Sequence, residues 1–121
     1  MSGFTRDLEN KVLNHIFRNE TYTPPEKVYV GLLTSGGEVA GAGYTRQEIT
    51  FRESSNGRIV NDNEIRFPIA EDDWGTITRA GVFDSQTGGT QLTDTSVNET
   101  EVIENEQVMY AIGDFEVEFN G

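Results

Sequence analysis

The residues with the most chemical capacity in this sequence are its acids. Asp72 and Asp73 stand directly before the only tryptophan, Trp74, and Asp84 follows at the head of Ser85-Gln86-Thr87-Gly88-Gly89. Carboxylates grouped in this way serve two chemistries. One is the binding of a hard cation, which needs several oxygen donors. The other is acid–base work by a carboxylate pair facing across a cleft. Asp62-Asn63-Glu64, with Glu71 beside Asp72, offers the same groups again, and Asn61-Asp62-Asn63-Glu64 resembles the start of a calcium loop. The glycine and terminal glutamate such a loop needs at fixed spacing are missing. With 21 acids in 121 residues, clusters arise from composition alone. A solvated acidic face is the simpler reading, and no metal or cofactor is expected.

Other catalytic groups are scarce. The chain has no cysteine, which removes thiolate nucleophiles, disulfides and Cys-based zinc sites. Its one histidine, His15, falls on a helical pattern beside Phe4 and Leu8, at the edge of an apolar stripe. A catalytic base needs a nucleophile or an orienting carboxylate beside it, and none stands at helical spacing, so a packing or interface role is expected. The glycine groups GGEVAGAG (36–43) and TGG (87–89) lack the lysine and the strand-to-helix setting of a phosphate loop. Two sequons, Asn19-Glu20-Thr21 and Asn98-Glu99-Thr100, fall in segments expected to be exposed. A non-enzyme is the expectation.

The elements that must carry these residues begin with a helix. Phe4, Leu8, Val12 and Ile16 recur every fourth residue, with Leu13 and Phe17 widening the stripe over more than half the circumference. Thr5 suits the N-cap, Asp7 the first turn and Arg18 the last. Pro24-Pro25 prevents re-entry into a helix. A stripe this wide needs a second surface beyond a single sheet, which makes Leu13 and Phe17 the candidate oligomer or partner contacts.

After the prolines the period falls from 3.6 to 2. KVYVGLLTS (27–35) reads as a strand covered on both sides. GGEVAGAG reads as a flexible loop, YTRQEITF (44–51) as a second strand, and Asn56-Gly57 as a hairpin turn. Short strands are expected in RIVNDNEIRFPIA and in TITRAGVFD (76–84). TSVNETEVIENEQ reads as an exposed polar excursion with some extended structure. At the end, Val108, Tyr110 and Ile112 alternate, then Phe115, Val117 and Phe119, with a one-residue slip at Gly113-Asp114 that signals a turn or bulge. The expected fold is mainly β: an N-terminal amphipathic helix and linker (1–23), then a jelly-roll-like β-sandwich (24–121) of about seven or eight short antiparallel strands, in one domain. A chain of this length buries roughly 65% of its unfolded surface without cross-links.

Charge narrows the partners. Nine bases face 21 acids, for a net charge of −12, and no base follows Arg79. Such a surface repels phosphates, so nucleic acid is not expected as a partner. Only two bases are lysines, and the shortage of lysine points to high salt, where screening removes self-repulsion. The start, MSGFTRDLENKVLNHIF, is too interrupted by polar residues for a signal peptide. No apolar run of about 18 residues exists, so no membrane role is expected.

Several segments, in order, resemble a family of small structural proteins of tailed bacterial and archaeal viruses, labelled tail-fibre or minor structural proteins. They are LNHIF, TYTPPEKVYVGLLTS, GAGYTRQEITF, IRFPIAEDDWGTITRAGVFDSQTGG and QVMYAIGDFEVEF; residues 90–106 carry little of the likeness. The resemblance implies a virion surface component, of head-decoration, turret or tail-fibre type. It would be made in the host cytoplasm and repeated in symmetric copies that contact each other, neighbouring virion proteins and, at the particle surface, the host. With the acidic composition, it implies a tailed virus of a halophilic, archaeal host. Under it the opening stretch is scaffold, with Trp74 anchoring the core and Asp84 shaping a turn. The alternative is a receptor- or carbohydrate-binding module of a viral fibre. That would call for aromatics clustered on a loop, whereas Tyr29, Phe51, Phe67, Phe83, Phe115 and Phe119 fall in expected strands.

Overall fold

The computed structural model describes residues 3–119. In chain order its elements are β1 (Gly3–Phe4), α1 (Arg6–Phe17), β2 (Val28–Thr34), β3 (Gly37–Glu38), β4 (Gln47–Ile49), β5 (Arg58–Val60), β6 (Ile65–Arg66), β7 (Gly75–Phe83), β8 (Thr93–Val102), β9 (Met109–Tyr110) and β10 (Glu116–Glu118). The mainly β expectation holds, with ten strands among the described residues where seven or eight were expected. The surplus comes from pieces two residues long, too short to show a period of two.

The helix starts where its cap chemistry places it. Thr5 is extended, and its hydroxyl accepts the Leu8 N–H at 3.4 Å while donating to Gln91 O at 2.9 Å. The cap therefore ties the helix to the segment before β8 as well as satisfying an orphan donor. Phe4, read as part of the helical stripe, instead sits in β1 opposite Thr93. At the other end Asn19 takes the left-handed conformation, φ 58°, which Asn tolerates better than most residues. That bend lets the Glu20 N–H reach Asn14 O at 3.1 Å.

The main sheet runs β1-β8-β7-β2-β3, with β4 also paired to β2, and all its pairs are antiparallel. Two two-stranded ribbons, β5 with β10 and β6 with β9, complete the β structure. Val30 lies opposite Val82 and Leu32 opposite Ala80, so one face carries an unbroken apolar row. Ile65, Phe67, Trp74, Val102 and Phe115 pack with that row in a single buried cluster. A register shift between Ile77 and Arg79 against β8 is what brings Ile77 into the same core; strict alternation would put it opposite Ala80 and Val82.

Two turns follow the sequence reading. Asn56 and Gly57 both have positive φ, 55° and 75°, and the Ser55 and Arg58 backbones close the hairpin. This is the geometry a two-residue turn needs to match strand twist. The slip at Gly113-Asp114 is a turn, with Gly113 at φ 89° and Asp114 Oδ2 accepting the Ala111 N–H at 2.8 Å. Fully buried Asn61 holds it: its Oδ1 accepts from Phe115 N at 2.8 Å and from Gly113 N at 3.1 Å, and its Nδ2 donates to Ala111 O and Asn63 O.

Two readings are refined. The extended structure expected within the polar segment is more than a part of it: TSVNETEV is most of β8, the longest strand among the described residues, though largely exposed as expected. Its side chains are mostly polar because few of them face the core, so the apolar alternation that marks a strand is missing. GGEVAGAG is not simply a loop. It contains β3 and buries Val39.

Candidate partner-binding surface

The acids that open the question are structural caps. Asp72 Oδ1 accepts the Ala42 N–H at 3.0 Å, Asp73 Oδ1 the Glu104 N–H at 3.0 Å, and Asp84 Oδ1 the Thr90 N–H at 2.8 Å. Each ties a different loop. Asp62 bonds the Thr50 hydroxyl, Asn63 accepts the Thr50 N–H at 3.0 Å, and Glu64 pairs with Arg66 at 2.9 Å. Among the described residues no three of His, Cys, Asp and Glu gather as a metal would require. Trp74 is buried, donates its indole N–H to Ala42 O at 3.0 Å, and meets Tyr44 edge-on at 5.5 Å.

A tightly held polar group on the sheet is one the sequence did not single out. Arg46 is buried on the second face of the sheet, level with Gly31. It forms two parallel bonds to Glu38, Nε to Oε2 and Nη2 to Oε1, both 2.8 Å. Its Nη1 donates to Ser85 O at 2.8 Å and Gly88 O at 2.7 Å, and the guanidinium lies 3.6 Å over the Phe83 ring. Tyr44 completes the set, donating to Glu38 Oε2 at 2.5 Å and accepting the Leu32 N–H at 3.0 Å. Burial by itself raises the Glu38 carboxyl, but the bonds from Arg46 and Tyr44 outweigh it and hold it below the ordinary carboxylate value. Burial and the adjacent Glu38 push the Tyr44 phenol up. Gly31 leaves the room: a Cβ there would lie 2.7 Å from Glu38 Oε2 and 2.9 Å from Phe83. The network fixes the 85–88 turn to β3 and β4. Four of the five Arg46 N–H groups and both Glu38 oxygens are bonded within the fold, so the network acts as a clamp. The sequence signal was Glu38 in a glycine-rich stretch, a polar residue with no local reason to be there.

Large apolar side chains are exposed at several places, among them Ile69, Ile103, Met109 and Ile112, and three more gather on α1. Leu8 is buried and Val12 half-buried, but Leu13, Ile16 and Phe17 are 52%, 64% and 79% exposed. Ile16, expected in the buried stripe, is therefore corrected to the surface. His15 is also exposed, with Nδ1 2.8 Å from Glu20 O, and does not edge a buried face. The reason is placement. The helix is tied at its start, where Thr5 bonds Gln91 O and Leu92 O, while the apolar side chains of its last turn are exposed. Beside it runs a groove of about 480 Å³, walled by Phe4, Val12, Leu13 and Phe119, with Arg79 and Asp94 paired at 2.6 Å among its lining. Phe4 and Phe119 touch at 4.7 Å between ring centres.

A mainly antiparallel β body whose polar clusters are spent on loop ties, with an apolar helix end left uncovered, has the makeup of a structural subunit. The family model described as podophage GP4 fiber I protein gp80 matches residues 3–118, and the chain belongs to that family of phage fibre proteins. The resemblance read from the sequence is thus borne out. A comparison with curated proteins gives no match.

Proposed function

We propose that this protein is a non-enzymatic subunit of a tailed-virus fibre, carried on the particle surface in multiple symmetric copies. The family supports the fibre; the exposure of Leu13, Ile16 and Phe17 supports repetition, because a lone domain gains nothing by leaving three large apolar side chains in water. In this reading the chain is one domain. Residues 24–121 are its body, a sandwich whose second layer is the β5–β10 and β6–β9 ribbons, and Leu13 and Phe17 are its contacts with other copies or neighbouring virion proteins. The acidic exterior fits a particle living in strong brine. The runner-up, a glycan- or receptor-binding module, has less support. The exposed aromatics among the described residues are Phe17 and Phe119, on the helix and beside the groove, and not a loop cluster.

The test is the double variant Leu13→Asp, Phe17→Lys. Both side chains are exposed, so the purified chain is expected to melt within a degree or two of the parent. Its incorporation into particles, followed by mass spectrometry of purified virions, is expected to be lost. Normal incorporation would remove the helix as the contact.

A further inference from the structure

The groove beside α1 and the exposed end of α1 lie next to each other on one surface, and together they form a socket and a knob. Arg6, Glu9, Asn10 and Leu13 line the socket from the helix side; Ile16 and Phe17 continue the same face beyond its end. A surface that carries both halves of a contact is self-complementary, which is the condition for an isologous two-fold interface. We propose that the occupant of the groove is a second copy of this chain, its α1 antiparallel to the first, with Phe17 of each copy seated in the groove of the other. This deepens the fibre-subunit reading and rests on it.

Helix spacing fits the arrangement. Phe17 lies about 6 Å along the axis from Leu13 in one direction, and Glu9 lies about 6 Å in the other. An axis at Leu13 therefore sets Leu13 against its own counterpart and Phe17 at the level of Glu9 and Asn10. Charge allows a second copy here. Two chains of net charge −12 repel over most of their surfaces. The groove is nearly balanced, lined by Arg6 and Arg79 against Glu9, Asp94 and Glu118, with Arg6–Glu9 at 3.2 Å and Arg79–Asp94 at 2.6 Å.

The chain has no cysteine, which permits a clean test. Two single variants of the full chain, Asn10→Cys and Ile16→Cys, are mixed in molar salt and oxidised. A mixed disulfide is expected to form much faster than between Asn10→Cys and Ser54→Cys, whose cysteine lies in an exposed turn far along the chain. Sedimentation of the parent is expected to give a concentration-dependent dimer. Phe17→Lys is expected to weaken it about 10- to 100-fold, the effect of withdrawing one large apolar side chain. A parent that stays monomeric, or equal cross-linking of the two mixtures, overturns the proposal. The two readings fail separately. Absence of the chain from purified particles removes the fibre reading, whereas presence in particles with no Asn10–Ile16 cross-link removes only the socket.

Discussion

At the scale of single residues, the side chains that look reactive turn out to be those with the most work to do inside the fold. Asp72, Asp73 and Asp84 each accept a backbone N–H from a distant or returning loop, and a carboxylate makes a stronger acceptor than a neutral group there. Trp74 joins the loop at Ala42, the Tyr44 ring and the core. Replacing Trp74 with Ala is expected to lower stability by about 3–5 kcal/mol, read from denaturant unfolding; an unchanged midpoint would deny it the anchoring role. The clamp at Glu38 makes a prediction about pH. A carboxyl depressed in the folded state adds stability that is complete above its unfolded value of 4.5 and is lost as pH falls below that. The stability gap between the parent and Glu38→Gln is therefore expected to be widest at neutral pH and to narrow as the solution is acidified through 4.5. Parallel curves for the two proteins over that range would contradict the assignment. Taking the difference matters, because acidification also relieves the general repulsion among acids.

At the scale of elements, two segments are positioned by contacts far away in sequence. The turn at 111–115 depends on Asn61, which replaces part of a sheet ladder with its own amide. In Asn61→Ala the buried Phe115 N–H loses its acceptor, and one such group costs about 1–3 kcal/mol. Hydrogen exchange at Phe115 is expected to accelerate accordingly, while the Ser55–Arg58 hairpin keeps its protection. Protection unchanged at Phe115 would mean that the turn holds itself. The helix is the opposite case. Its twelve residues are near the lower limit for a helix on its own, and its anchoring is concentrated at the Thr5 end. Its far end carries the exposed Leu13, Ile16 and Phe17.

At the scale of the molecule, charge dominates. Net −12 over 121 residues gives a self-repulsion that dissolved salt screens over roughly 10 Å at 0.1 M and 3 Å at 1 M. Thermal unfolding is expected to occur at a clearly higher midpoint in molar salt than in dilute buffer. Equal midpoints would remove the proposal that the chain is adapted to brine. The exposed surface ion pairs, such as Lys11–Asp7 at 2.9 Å and Arg6–Glu9 at 3.2 Å, contribute little to this balance.

The sequence by itself determined the class of fold, the helix and its caps, the Asn56-Gly57 hairpin, the break at Gly113 and the family, because each rests on local chemistry. A cap needs a hydroxyl at one position, a tight turn needs residues that accept positive φ, and a core strand needs alternation. Leu13 and Phe17 were legible as surplus apolar residues on the same ground. What only the tertiary structure decided is which chemistry those local pieces serve together. β8 is a strand because β7 lies beside it, not because its own polar residues prefer one. Arg46 finds Glu38 because β3 and β4 both pair with β2, a juxtaposition no local pattern encodes. The wide helical stripe, too, is compatible with two burial sites. The fold buries Leu8 and leaves Ile16 and Phe17 exposed, a choice between faces that depends on where the sheet lies and not on the stripe itself.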